Sequence, residues 1–344
     1  MRCAGGRDTA TYRRHTAFST AGFDHMTQIM QLLGIHHLTA VSAHIRDNHR
    51  FYTQVLGMRL VKRSVNQDDL SAYHLFYADA KGSPGSDLTF FDWSVGPERR
   101  GTRSITRTAL RVAGSDTLQW WQAHLQANGV TTAAIVERDG RQVLDFDDPE
   151  GQRLVLVDDG GEAESFPWDR SPVPPAHQIR GLGPITISVP SLGPTDAILQ
   201  QALRMRAVRQ YPHPDQARHT VHVYEMGDGG ATAEVHVAVQ PDLAAAGPGA
   251  GGVHHVAFRI ADDAYDAWSD RLNTMRIPNS GQVDRYWFRS LYLREPNGVL
   301  FELATDGPGF GVDEDDATLG EKVVLAPFLE PQRAQIIANL KPID

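Results

Sequence analysis

The chain has 344 residues, more than one hydrophobic core usually holds, so its length predicts two domains. A hydrophobic content of 41% and a charged content of 22% are typical of a soluble globular protein, while a net charge of −9 disfavours nucleic acid and anionic membranes as partners. The single cysteine, Cys3, excludes a disulfide framework and fits a cytoplasmic location, and no run of 18 apolar residues suggests a membrane span.

Residues 1–30 are predicted to be a disordered extension. Residues 1–21 carry several arginines without hydrophobic periodicity, and they lack the apolar segment of a secretion signal. The Arg- and Ser/Thr-containing composition could also suit a transit peptide. A disordered extension, or a start ahead of Met26 or Met30, is the favoured interpretation.

A regular pattern begins at Gly34 and predicts one strand, one helix and three further strands. The first strand is residues 35–41, and the helix at residues 45–55 ends at Gly57, which suits a helix C-terminus. Turn residues separate three more segments with strand-like alternation, at residues 58–62, 73–77 and 88–93. We call this unit the first module.

The same order of elements recurs three times, so the sequence predicts four βαβββ modules. The turn and strand of the second module, residues 148–156, align with residues 295–303 of the fourth, which places Glu302 at the position of Val155. The predicted organisation is an N-terminal domain of two modules, a proline-containing linker, a C-terminal domain of two modules and a tail, at residues 31–160, 161–180, 181–306 and 307–344.

Histidine doublets open the first and the fourth modules, and a carboxylate closes the fourth. Glu302 lies in an apolar strand, where an unpaired carboxylate costs several kcal/mol unless a cation binds it. Two imidazoles and one carboxylate on one face would leave three positions open on an octahedral ion, an arrangement typical of non-haem Fe(II) oxygenases. Mn(II), and less readily Zn(II) or Ni(II), suits the same ligands.

Adjacent residues of a strand face opposite sides, so only one histidine of each doublet is expected to reach the metal. We predict His37 and His255 as ligands together with Glu302. His36 and His254 are then candidates for hydrogen-bond partners of the ligands or for acid–base groups. The alternative for the carboxylate is a buried ion pair with Arg259 or Arg294.

The modules, the doublets and the strand around Glu302 resemble the vicinal oxygen chelate (glyoxalase/extradiol dioxygenase) superfamily, and within it the hydroquinone-type ring-cleaving dioxygenases. Residues 306–310 and 325–333 resemble the closing segment of that family. The resemblance covers residue 34 to the C-terminus, and the N-terminal extension departs from the family outline. It implies an α+β fold of two domains, in each of which paired βαβββ modules form an open, U-shaped, mostly antiparallel barrel-like sheet.

The resemblance also implies an Fe(II) enzyme that uses O₂ to open a 1,4-dihydroxylated aromatic ring next to a hydroxyl. Tyr292 and Arg285 fall where the family orients its substrate, and such donors can stabilise a phenolate. The expected partners are therefore a small aromatic diphenol and O₂, and a homo-oligomer stays open.

Two other functions fit the same pattern. A glyoxalase-like, metal-dependent lyase or isomerase uses this fold with Zn(II) or Ni(II), but it generally needs a second carboxylate, and Val155 is not one. A non-catalytic protein that binds a quinone or an antibiotic is the other alternative.

Overall fold

The computed structural model describes residues 30–161 and 163–343, so the predicted extension lies outside the described residues except for Met30. Sixteen strands in this part of the chain form two eight-stranded sheets, and each sheet curls into a half-barrel. Helices are few and short beside them. The predicted α+β class with U-shaped sheets is confirmed.

The first sheet joins the first module to the fourth. From one edge to the other it contains β14 (Val283–Asp284), β15 (Arg289–Arg294), β16 (Leu300–Thr305), β13 (Val253–Ile260), β1 (Ile35–Ser42), β4 (Asp87–Asp92), β3 (Asp69–Ala78) and β2 (Arg59–Asn66).

The second sheet joins the third module to the second in the same order of elements. It contains β10 (Arg206–Pro212), β11 (Thr220–Glu225), β12 (Glu234–Val239), β9 (Leu182–Val189), β5 (Ser104–Val112), β8 (Arg153–Asp158), β7 (Arg141–Asp147) and β6 (Val136–Arg138).

The sheets therefore group the modules differently from the predicted domains, which followed chain order. The central contact of the first sheet is the antiparallel pair β1–β13, and that of the second sheet is the antiparallel pair β5–β9. Alternating hydrophobicity predicts where a strand lies but not which distant strand pairs with it. The boundaries at residues 160 and 181 stay a prediction.

Five α-helices flank the sheets in the described residues: α1 (Ile45–Arg50), α2 (Ser115–Ala127), α3 (Leu192–Ala197), α4 (Tyr265–Thr274) and α5 (Arg333–Asn339). One wider π-type segment prolongs α1 (Phe51–Val55) and another prolongs α3 (Ile198–Ala202). Trp121 on α2 and Trp268 on α4 are fully buried, so each anchors its helix in the main core. Within residues 30–161 and 163–343, no helix combines the length and the apolar character needed to cross a bilayer.

The repeated turns fasten the two half-barrels to each other. Asp148, in the turn of the second module, accepts a hydrogen bond of 3.1 Å from Tyr52 in the helical segment of the first. Glu295, in the matching turn of the fourth module, accepts one of 2.6 Å from Thr195 in α3 of the third. Since the partners in each pair belong to different sheets, the repeated turn motif holds the sheets in a fixed relation.

The C-terminal tail packs against the first half-barrel through a buried lysine. The Lys62 ammonium, fully buried, donates to the Phe310 carbonyl at 3.1 Å and to Asp313 at 2.8 Å, and it also pairs with Glu314. Trp287 donates its indole N–H to Asp313 at 3.0 Å. A buried ammonium is tolerated only with such partners, so these contacts hold the tail against the first half-barrel.

Candidate metal centre

Three side chains from the central strands of the first sheet converge on one point. His37 on β1, His255 on β13 and Glu302 on β16 are 2%, 3% and 0% exposed. Glu302 Oε2 lies 3.2 Å from His37 Nε2 and 2.9 Å from His255 Nε2, and the two Nε2 atoms are 3.4 Å apart. The structure thus brings together the three residues that the sequence predicts as metal ligands.

Strand register explains this convergence. His37 and Glu302 both lie opposite Ala257, one on each neighbouring strand, so the three residues form a row across the same face. His255 precedes Ala257 by two residues and therefore shares that face. The methyl group of Ala257 is small enough to leave space between the larger side chains.

The first histidine of each doublet holds the second. His36 Nδ1 lies 2.9 Å from His37 Nδ1, and His254 Nδ1 lies 2.7 Å from His255 Nδ1. His36 Nε2 lies 3.1 Å from the carbonyl oxygen of Thr305, which can only accept, so Nε2 carries the proton. His36 Nδ1 then accepts from His37 Nδ1, and His37 Nε2 is left with a lone pair directed at the centre.

Both supporting histidines are neutral. Burial, followed by the neighbouring His37, lowers the pKa of His36 to about 3. Burial, followed by the neighbouring His255, lowers the pKa of His254 to about 3 as well. The geometry agrees with the predicted role of both residues as hydrogen-bond partners of the ligands, while an acid–base role stays a prediction.

The surroundings of Glu302 suit a metal ligand. Its Oε1 accepts a hydrogen bond of 2.5 Å from Ser290, whereas the buried Oε2 accepts none. One carboxylate oxygen and two imidazole nitrogens therefore face the same point, which suits a divalent cation.

The alternative of a buried ion pair for Glu302 is not found among the described residues. The Arg259 guanidinium pairs with Asp306, with its Nε at 2.7 Å from Oδ1. Arg294 is exposed and donates to the carbonyl of Gly298 at 2.7 Å. Both predicted arginine partners are thus engaged elsewhere.

A cavity of about 40 Å³ adjoins the three converging residues. Aromatic side chains form its walls and polar side chains form its rim. Besides the two histidines, its lining residues are Val65, Asn66, Gln67, Asp68, His74, Phe76, Phe91, Arg285, Trp287, Phe288 and Tyr292.

The two predicted substrate-orienting residues both lie in this cavity. Tyr292 is paired with Glu302 across β15 and β16, and its hydroxyl lies 3.2 Å from Arg285 Nε. Burial and the nearby Glu302 raise the pKa of Tyr292. Burial lowers the pKa of Arg285, but Tyr292 and Asp68 more than compensate, so this pKa is raised and the guanidinium keeps its charge.

His74 and the hairpin tip at Gln67 and Asp68 also line the cavity, although the sequence did not single them out. His74 and Phe76 lie two residues apart on β3, so both point to the same face, and this spacing was the available signal. The hairpin tip gave no signal, because its position over the cavity depends on the curl of the whole sheet.

The second half-barrel lacks the three ligands. Val155 is paired with Ala109 as Glu302 is paired with Ala257, and Arg107, two residues before Ala109, takes the position of His255. Pro184 takes the position of His37, because Ile185 pairs with Thr108 as Leu38 pairs with Val256. The repeat therefore retains one centre of this kind.

A different group in the second half-barrel, Asp139, Glu234 and His236, also comes within metal-binding distance. Arg141 binds Glu234 through two hydrogen bonds of 2.7 and 2.8 Å, and Arg209 pairs with both Asp139 and Glu234. Two guanidinium groups already neutralise the two carboxylates, so this group suits an ion-pair network rather than a cation site.

The chain matches the model of the glyoxalase/bleomycin resistance protein/dioxygenase superfamily over residues 34–156 and 181–303. It is 44% identical over 318 residues to MhqA of Bacillus subtilis, a protein named as a ring-cleaving dioxygenase, with 92% of this chain and 100% of that protein covered. It is 30% identical over 315 residues to the chlorohydroquinone/hydroquinone 1,2-dioxygenase of Sphingobium indicum, covering 89% of this chain and 95% of that one. A crystal structure named as that of a Bacillus subtilis dioxygenase shares the fold with a TM-score of 0.82 at 32% identity, covering 91% and 98% of the two chains.

Proposed function

Because the chain belongs to the glyoxalase/bleomycin resistance protein/dioxygenase superfamily, we propose that it is an Fe(II)-dependent ring-cleaving dioxygenase that opens a hydroquinone-type ring with O₂. The convergence of His37, His255 and Glu302, with one buried carboxylate oxygen left without a donor, carries the proposal. The names of the relatives support an aromatic diphenol as the substrate.

The ligand set favours a metal that needs open positions. Two neutral imidazoles and one carboxylate would hold Fe(II) and leave three positions for substrate and O₂, and Mn(II) suits the same set. When bound, Fe(II) would allow electron density to pass from the ligated diphenol to O₂. The hydrogen bonds from His36 and His254 would keep both ligand rings in the orientation that points Nε2 at the metal.

The remaining cavity residues suit a flat ring with a polar group at its far end. Phe91, Trp287 and Phe288 offer apolar faces, which favour an aromatic ring and exclude water. Arg285 and Tyr292 can donate hydrogen bonds to the second hydroxyl of a diphenol. A hydroquinone has only one oxygen near the metal, so this second contact would fix its orientation.

Access to the cavity requires a movement of the hairpin between β2 and β3. The Gln67 side chain donates to the Arg285 carbonyl at 2.9 Å, and Asp68 pairs with the Arg285 guanidinium at 2.9 Å. A cavity of about 40 Å³ holds only a few waters, whereas small-molecule sites measure several hundred. Asp68 is 74% exposed, so the hairpin tip can separate from Arg285 at low energetic cost.

The test is O₂ uptake by the full chain after anaerobic loading with Fe(II). With a panel of substituted hydroquinones and catechols, we expect uptake coupled to the loss of the ring absorbance, with hydroquinones preferred. Glu302→Gln keeps the volume but removes the charge, so we expect it to lose iron and activity together. Val155→Ala alters the matching position in the other sheet without burying a polar group, and it serves as the control that keeps iron and activity.

Other outcomes identify the other functions. Turnover of a substrate without O₂ uptake by Zn(II)- or Ni(II)-loaded protein would indicate a lyase or isomerase. Tight binding of a quinone or antibiotic, with no turnover under any metal, would indicate a binding protein. Full O₂ uptake by Glu302→Gln would remove Glu302 from the centre.

A further inference from the structure

A row of hydrogen-bonded side chains runs across four neighbouring strands of the first sheet and ends at a predicted ligand. His74 Nε2 on β3 lies 2.9 Å from the Thr89 hydroxyl on β4, which lies 2.8 Å from the Thr39 hydroxyl on β1. Thr39 Oγ1 lies 3.0 Å from His255 Nε2 on β13. Both threonines are fully buried, while His74 is half-buried and lines the cavity.

Counting protons sets the direction of this row. The Thr89 hydroxyl donates to Thr39 Oγ1, so the single proton of Thr89 is used and the proton of Thr39 points away from Thr89. The oxygen of Thr89 then accepts from His74 Nε2–H. Burial lowers the pKa of His74 well below its ordinary value, so its ring is neutral with one N–H to donate.

A cation bound by His37, His255 and Glu302 would change the contact at the end of the row, between Thr39 and His255. With His255 Nε2 bound to the cation, the Thr39 hydroxyl could not donate to that nitrogen, although it lies 3.0 Å away. A buried hydroxyl without an acceptor is unfavourable, so the next acceptor it can reach is an oxygen bound beside His255.

We propose that His74, Thr89 and Thr39 form a donor chain that binds the deprotonated oxygen of the diphenol at the metal. The inference rests on the proposed function, since it assumes that the diphenol binds through one oxygen. His74 and Thr89 are positioning residues in this chain, because they act on the reacting oxygen through the Thr39 hydroxyl. The donor chain would bind the reacting oxygen at one end of the ring, while Arg285 would bind the hydroxyl at the other end.

The second half-barrel shows that such a row is not a by-product of the fold. Thr186 takes the position of Thr39, and His236 takes the position of Thr89, as the matching strand pairs show. There the histidine is bonded to Glu234 and Tyr211 and not to the threonine. The chain of donors is found where the three ligands are.

The experiment measures two equilibria in the full chain: Fe(II) binding, and anaerobic binding of unsubstituted hydroquinone to the Fe(II)-loaded protein. Thr89→Val keeps the side-chain shape and removes the middle hydroxyl. We expect it to raise the dissociation constant for hydroquinone about tenfold, because Thr39 loses the donor that orients its own hydroxyl toward the charged oxygen, while Fe(II) affinity changes by less than about twofold. His74→Phe, which removes the first donor, should have the same effect.

Two variants serve as controls. Thr89→Ser retains the hydroxyl and should bind hydroquinone within about twofold of the wild type. Thr186→Val makes the same change at the matching position of the other half-barrel and should leave both constants unchanged.

Hydroquinone binding by Thr89→Val at the wild-type strength would overturn the donor chain. Equal weakening of binding in Thr89→Ser would also overturn it, because the loss would then come from the packing of the methyl group and not from the hydroxyl. A parallel loss of Fe(II) affinity, or no hydroquinone binding by the wild type, would overturn it as well. Wild-type protein that binds hydroquinone but consumes no O₂ contradicts the dioxygenase proposal alone.

Discussion

At the scale of single residues, Glu302 is the side chain whose burial most requires an explanation. Its side chain is fully buried, no lysine or arginine among the described residues pairs with it, and its Oε2 accepts no hydrogen bond. An ionised carboxylate in such a place costs several kcal/mol unless a cation compensates it. At the matching position of the second half-barrel the residue is Val155, which needs no partner. The energetic cost of burying a carboxylate at this position therefore arises only in the first half-barrel, where two imidazoles lie beside it.

Arg285 allows a test of how the substrate is oriented. In Arg285→Gln the donor to the far hydroxyl is lost, so we expect KM for hydroquinone to rise about tenfold or more while iron content stays unchanged. Steady-state O₂ uptake measures KM, and metal analysis measures iron. Arg294→Gln is the matched control, because Arg294 is exposed and bonded to Gly298. Wild-type kinetics in Arg285→Gln would remove this residue from substrate binding.

The three converging residues could be predicted from the sequence, whereas the row of side chains that leads to them through Thr89 could not. Alternation along β1 and β13 favoured His37 and His255 over His36 and His254, and the structure brings those two together with Glu302. His74 was missed because its partner Thr89 lies on another strand, and a single sequence does not show which strands are adjacent.

At the scale of elements, the turn of the second module contains a carboxyl group whose pKa is raised by burial. Asp148 is 7% exposed, and burial raises its pKa from 3.8 to about 6, despite hydrogen bonds from the amides of Gln152 and Glu150 and from Tyr52. A raised pKa in the folded state stabilises the protein fully below pH 3.8, and this stabilisation is lost as the pH rises through about 6.

Asp148→Asn should remove that dependence, since the amide does not ionise. From pH 4 to pH 7, we expect the free energy of unfolding of the variant to increase relative to the wild type by up to about 3 kcal/mol. Denaturant unfolding at several pH values measures the difference. Asp147→Asn, at an exposed neighbour paired with Arg100, should show no such trend. A constant difference between Asp148→Asn and the wild type would contradict the argument.

Most elements were predictable from local patterns, but several edge strands were not. Residues 35–41 and 45–55 carry clear alternation and helical spacing, and the structure has a strand and a helical segment there. The edge strands β6 and β10 have mostly exposed residues, so neither shows the alternation of a half-buried strand. Their position at the sheet edges, rather than their composition, makes them strands.

At the scale of the whole molecule, the pairing of distant modules builds the centre. His37 belongs to the first module and His255 to the fourth, and they meet because β1 pairs with β13. The modules between them form the second half-barrel, where arginine–carboxylate pairs occupy the corresponding space. The sequence predicted the repeat and the three residues that converge, but not this grouping of modules, because contacts between distant strands leave no local pattern.

The central claim is that one divalent ion binds between the two central strands and β16 of the first sheet. Anomalous diffraction at the iron edge, from crystals of the full chain loaded anaerobically with Fe(II), tests it most directly. We expect one peak per chain within bonding distance of His37 Nε2, His255 Nε2 and a carboxylate oxygen of Glu302. A peak at Asp139, Glu234 and His236 instead, or no peak at the three predicted ligands, would contradict the account.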